Sequence, residues 1–116
     1  MIKFFIPYPP SVNNYWGFKG HRRYLTPKAL EFKFAVVKSV LANKVPTFEM
    51  SKIELEITLY PPDKRIRDID NCIKSCLDAL CQAKVFFDDS QIDVLIVQRA
   101  EIVKGGQALI KIKKLL

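Results

Sequence analysis

The chain has 116 residues, enough for one compact domain and too few for two of ordinary size. Apolar residues make up 49% of it and charged residues 27%, which excludes an intrinsically disordered chain. A formal net charge of +7 points to a polyanionic partner such as nucleic acid or an anionic membrane surface, and no apolar run approaches the roughly 18 residues that a membrane span needs.

The opening MIKFFIPYPP has prolines where a secretory signal would continue its apolar run, so a soluble, cytoplasmic protein is expected. Ile2 to Ile6 reads as a first strand ended by Pro7. Residues 7–27 are rich in Pro, Gly and Asn and read as one long loop, a length often associated with function. Thr26-Pro27 has the form of an N-cap followed by proline at the first helical position. Leu30, Phe34, Val37 and Leu41 then recur at helical spacing, predicting a helix to about Asn43.

From Lys52 to Tyr60 the pattern alternates, with Ile53, Leu55, Ile57 and Leu59 on one face, so a strand with one buried face is expected. Pro61-Pro62 ends it. A helical period returns with Ile69, Ile73, Cys76, Leu77 and Leu80 and runs to about Ala83. Val94 to Val103 reads as a strand, Gly105-Gly106 as a hairpin turn and Gln107 to Lys113 as the last strand, with Lys111, Lys113 and Lys114 as edge protection. The order β-α-β-α-β-β predicts a single α+β domain over residues 1–116, a mixed sheet with both helices packed against it.

Three cysteines, Cys72, Cys76 and Cys81, are odd in number and tightly clustered, which argues against a disulfide framework. With His21 distant and no second Cys pair, they read as small buried apolar residues rather than as a zinc site.

The acidic residues are more informative. In R-I-R-D-I-D-N, Asp68 and Asp70 stand at a strand-to-helix junction, where the bend lets two carboxylates converge. Either one alone is explained as an N-cap near the positive end of a helix dipole. A second pair, Asp88-Asp89, lies in the turn after that helix, and Val85-Phe86-Phe87 anchors it to the core. Lys74 follows Asp70 by one helical turn, while Asp78 further along reads as solvated surface. The helix itself separates the two acidic pairs by about 20 Å, so the second pair must fold back along the helix or face the site from elsewhere.

Together, P-P-S-V-N-N-Y, R-D-I-D-N-C-I-K-S-C-L-D-A-L and F-F-D-D-S-Q-I resemble the RusA family of Holliday junction resolvases over nearly the whole chain. The resemblance implies a homodimeric, Mg²⁺-dependent endodeoxyribonuclease for four-way DNA junctions in recombination and repair, often carried by prophages, in which Mn²⁺ substitutes. It implies catalytic roles for Asp68, Asp70, Asp89 and Lys74, and a metal site of Asp68, Asp70 and Asp89 supported by Asp88. Oxygen ligands suit Mg²⁺, and no Ser–His or Cys–His pair offers a covalent route. Candidate DNA-binding residues are Lys64, Arg65 and Arg67 on the approach to Asp68, with Asn13, Lys19, Arg22 and Arg23 in the first loop. Tyr15, Trp16, Phe18 and Tyr24 are interleaved there, as in stacking platforms for unpaired bases. Two other readings are a branched-DNA-binding protein without nuclease activity and a D-x-D nucleotide transferase. The second suits a longer chain with a Gly-rich phosphate loop.

Overall fold

A computed structural model describes residues 1–116. Strands β1 (Ile2–Ile6), β4 (Ile53–Tyr60), β5 (Ile92–Arg99) and β6 (Gln107–Lys114) form one sheet in the order β1-β6-β4-β5. β4 and β5 run parallel, and the other pairs are antiparallel. Helices α1 (Pro27–Ala42) and α2 (Ile73–Gln82) cover one face, which is the expected α+β arrangement. The core is a single cluster: Ile53, Leu55, Ile57 and Leu59 of β4 meet Phe32 and Val36 of α1 and Cys76 and Leu80 of α2. Each large side chain of this kind contributes about 1.5–3 kcal/mol by leaving water. On the opposite sheet face Glu54 and Glu56 pair with Lys113 and Lys111.

Thr26 caps α1 as its sequence predicts, its hydroxyl accepting from the Ala29 N–H at 3.2 Å with Pro27 at the first helical position. The buried face of α1 is Ala29, Phe32, Val36 and Val40, whereas Leu30, Phe34 and Leu41 are exposed. Two apolar stripes interleave on this helix, and packing against β1 and α2 selects the one with the smaller residue at its start.

The segment expected to be one long loop contains a 3₁₀ turn (Val12–Asn14) and a hairpin of β2 (Trp16–Lys19) and β3 (Arg22–Leu25), outside the main sheet. Gly105 and Gly106 do not close a hairpin between neighbours, because β4 lies between β5 and β6. The chain instead crosses the end of β4, where the Ala100 and Val103 N–H groups donate to the Leu59 and Pro61 carbonyls. β6 is therefore an inner strand, and Lys111 and Lys113 are ion-pair partners rather than edge protection. The strand expected over 94–103 runs from Ile92 to Arg99 for the same reason.

Two local devices hold the connections to β4. Gln91 is 2% exposed. Its side-chain oxygen accepts from the Phe87 and Asp88 N–H groups at 2.7 and 2.8 Å, and its Nε2 donates to the Glu49 and Ser51 carbonyls at 2.6 and 2.8 Å. One amide thus fastens the Asp88-Asp89 turn to the start of β4. At the other end, Gly106 has φ +71°, and an added Cβ would lie 2.9 Å from Tyr8 Cβ and 3.1 Å from Pro62 Cδ.

Gln91→Leu leaves these four backbone groups unpaired and is expected to cost about 3–5 kcal/mol. Chemical denaturation and loss of amide protection at Phe87 and Asp88 check this, and a loss below about 1 kcal/mol contradicts it. Gly106→Ala is expected to cost about 2–4 kcal/mol through strain and overlap together. Gly105→Ala has open space around it at φ +84° and should cost about 1 kcal/mol in the same assay.

Candidate active site

After β4 the chain turns at Pro61-Pro62, and Asp63 organises the segment that leads to Asp68. Its carboxylate accepts from the Arg65 backbone N–H at 2.9 Å and pairs with the Arg67 guanidinium at 2.9 Å and the Arg65 guanidinium at 3.7 Å. Arg67 holds the Asp63 carboxyl below the usual carboxylate range. Arg67 also lies 5.8 Å from the centre of the Tyr8 ring, and Arg99 of β5 donates to the Arg67 carbonyl at 2.5 Å. Arg67 is therefore largely a structural cation, half-buried, while Lys64 and Arg65 face solvent. Ile66 between the arginines is 100% exposed.

Asp68 and Asp70 stand in a turn closed by the Asn71 N–H on the Asp68 carbonyl (3.2 Å) and the Ile73 N–H on the Asp70 carbonyl (3.3 Å). The helix begins one turn later than its apolar period suggests: Cys72 is the N-cap, with no side-chain cap hydrogen bond. Asp70 therefore does not cap α2. Both carboxylates are exposed and enter none of the chain's ion pairs. The Pro-Pro-Ser-Val segment docks beside them. Val12 donates its N–H to the Asn71 carbonyl at 2.7 Å, and the buried Ser75 hydroxyl donates to the Pro10 carbonyl at 2.7 Å. Between that segment, the start of α1 and residues 65–72 lies a cavity of about 850 Å³, lined in part by Lys28, Arg65, Asp68 and Asn71.

Asp88 and Asp89 come after α2, and the chain returns along the helix only far enough for Asp89 to meet the Lys74 side chain. Asp89 Oδ2 lies 3.7 Å from Lys74 Nζ, and the Cys81 thiol donates to Asp89 Oδ1 at 3.4 Å. Burial first, and this hydrogen bond second, push the Cys81 thiol up to about 12, in keeping with its role as a donor to Asp89. Cys72 and Cys76 are buried in the core, as expected. Asp88 accepts from the Ser90 hydroxyl at 2.7 Å. Lys74 Nζ is closer to Asp78, at 3.0 Å, and Asp78 in turn accepts from the Tyr15 hydroxyl at 3.1 Å. Asp78 thus belongs to a network and is not solvated surface. The hydrogen bond to Asp78 holds the Lys74 ammonium above its usual range, and burial raises the Tyr15 phenol.

Of the residues expected in the first loop, Asn13, Lys19, Arg22 and Arg23 are exposed. Arg23 stacks 4.0 Å over the Trp16 ring. Tyr15 is 1% exposed and packs edge-on against Trp16, so it is part of the fold and unavailable to a base. Phe18 and Tyr24 are open to solvent. Two contributors carry no clear signal in the sequence. Arg99 has as its partner a backbone carbonyl 32 positions away. Asp78 has a readable spacing from Lys74, but its bond to Tyr15 has no local mark.

The donor set suits an oxygen-seeking divalent cation, since Asp68 and Asp70 present unpaired carboxylates. The three-aspartate cluster does not form within one chain, where no group of three or more His, Cys, Asp or Glu side chains stands close enough to hold a metal ion. The reason is topological. Asp68 and Asp70 lie beyond the C-terminal end of β4, beside Arg99, whereas Gln91 ties Asp89 to the N-terminal end of β4.

Comparison with known proteins agrees with this arrangement of motifs. Residues 7–113 match the family described as Endodeoxyribonuclease RusA. The chain is 36% identical over 113 residues to the crossover junction endodeoxyribonuclease rusA of Enterobacteria phage HK97, covering 97% of this chain and 94% of that protein. It is 28% identical over 102 residues to the proteins of the same description from Enterobacteria phage 82 and from Escherichia coli strain K12, in each case over 88% of this chain and 85% of the relative. With all three motif blocks inside the matched span and gathered around α2, the chain belongs to the RusA endodeoxyribonuclease family.

Proposed function

We propose that the protein is a divalent-metal-dependent endodeoxyribonuclease that resolves four-way DNA junctions by paired nicks, with Mg²⁺ as the working ion and Mn²⁺ able to replace it. The observation that carries this reading is the pair of exposed, unpaired carboxylates of Asp68 and Asp70, set among cations in a chain of net charge +7 that belongs to the RusA family. Asp68, Asp70 and Asp89, supported by Asp88, would hold the ion. When bound, it supplies Lewis acidity toward a phosphate oxygen and acidity to a coordinated water. Lys74 offers a fixed positive charge to the phosphate as its negative charge grows in the transition state. Lys64, Arg65 and the hairpin cations Lys19, Arg22 and Arg23 take neighbouring phosphates, and Asn13 contributes a neutral contact beside them. Phe18 and Tyr24 offer exposed rings to unstacked bases.

The reading includes a homodimer in which each site draws on both copies. Two facts support it. First, Asp89 and the Asp68–Asp70 turn lie at opposite ends of the β4–α2–β5 unit. Second, β5 is an edge strand with Val94, Leu95 and Ile96 all exposed, a surface that soluble proteins ordinarily cover. Antiparallel pairing of β5 with β5 of a second copy about a two-fold axis sets the N-terminal end of one against the C-terminal end of the other. Asp89 of the partner subunit then approaches Asp68 and Asp70, and symmetry makes a second site for the opposed strand.

Asp70→Asn and Asp89→Asn should each lower junction cleavage at least about 100-fold while retaining junction binding. Refolded together, they should regain nicking of one strand, because each mixed dimer carries one intact composite site. A mixture as inactive as either parent contradicts sites shared between copies. Wild-type cleavage by Asp70→Asn contradicts the nuclease assignment itself.

A further inference from the structure

The network behind Lys74 points to a residue outside the acidic motifs. Lys74 Nζ stands between two carboxylates, at 3.0 Å from Asp78 and 3.7 Å from Asp89. Asp78 is half-buried, and its second oxygen is taken by the Tyr15 hydroxyl at 3.1 Å. Tyr15 has little freedom. It is 1% exposed, meets the Trp16 ring edge-on, and accepts the Thr26 N–H on its carbonyl at 3.1 Å, just where α1 begins. A rigid phenol therefore fixes Asp78, and Asp78 fixes Lys74. Lys33, 5.9 Å from the Tyr15 ring centre, is the other cation near this pair. A lysine with four rotatable side-chain bonds and 58% of its side chain exposed would otherwise be free to settle on Asp89.

We infer that Asp78 is a positioning residue: held by Tyr15, it draws the Lys74 ammonium to 3.0 Å and so keeps the contact of Lys74 with Asp89 at a looser 3.7 Å. Without Asp78, Lys74 moves onto Asp89 and competes with a divalent cation for that carboxylate. The inference rests on the reading that Asp89 binds metal and Lys74 assists cleavage.

The test is a double-substitution cycle read by calorimetric Mn²⁺ affinity and by single-turnover junction cleavage. Asp78→Asn keeps the shape and can still accept from Tyr15, so the fold should persist, as the melting temperature will report. It is expected to weaken Mn²⁺ binding and slow cleavage, each by about tenfold or more, the scale seen when a partner behind a ligand is lost. Junction affinity in Ca²⁺ should stay within about twofold, since both Asp78 oxygens are already engaged by Tyr15 and Lys74. In a Lys74→Met background the competitor is gone, so adding Asp78→Asn should change Mn²⁺ affinity by less than about twofold. The inference is overturned if Asp78→Asn binds Mn²⁺ and cleaves like wild type, or if it weakens Mn²⁺ binding equally in the Lys74→Met background. Wild-type cleavage by Lys74→Met would instead overturn the role of Lys74 on which the inference rests.

Discussion

Two parallel strands cannot be joined by a tight turn, so the chain leaving β4 must return along its length before β5 can begin. In this protein α2 makes the return. Its ten residues span about 15 Å, and each end of the crossover carries one acidic segment. The arrangement keeps like charges apart inside one chain, where several carboxylates at one point would repel one another and favour protonation. In the proposed dimer, a two-fold partner lying along β5 would meet each acidic end with the complementary one. Sheet topology, rather than any local motif, determines how the carboxylates can be assembled.

Each acidic segment is held in place mainly by groups other than its own carboxylates, although Asp89 also meets Lys74 and the Cys81 thiol and Asp88 the Ser90 hydroxyl. Gln91 binds four backbone groups and so fixes the Asp88-Asp89 turn without using either aspartate. Asp63 engages Arg67 and Arg65, and Arg99 holds the Arg67 carbonyl, so Asp68 and Asp70 stay unpaired beside a row of cations. On the open sheet face Glu54 and Glu56 absorb Lys113 and Lys111. The β2–β3 hairpin carries Lys19, Arg22 and Arg23 and no acidic residue, and Lys64 and Arg65 stand exposed on the approach to Asp68. A positive rim around a negative centre suits a polyanion brought to a metal ion.

Much of this is legible in the sequence where a signal is local. The Thr26-Pro27 cap, the alternation of β4 and the turn at Asp88-Asp89 need only neighbouring residues to read. Most of the misreadings involve distant partners. Nothing in the period of α1 says whether the Phe32 stripe or the Phe34 stripe faces inward, because docking on β1 and α2 decides it. Gly105-Gly106 carries the signature of a hairpin, yet β4 intervenes between the strands it joins. Asp70 has the character of a helix cap, but Cys72 occupies that position. Asp78 has the spacing of a surface residue, because its partner, Tyr15, lies 63 positions away. The acidic and basic residues of the site are readable as types, whereas which of them are free and which are already engaged is a property of the folded chain.

The most direct measurement of the central claim is an anomalous-scattering experiment on crystals of the protein grown with Mn²⁺. The account predicts a Mn²⁺ ion coordinated by Asp68 and Asp70 of one subunit and Asp89 of its partner, at two sites related by the dimer axis. An ion held by all three aspartates of a single chain, or by a pair of subunits joined elsewhere than β5, would contradict it.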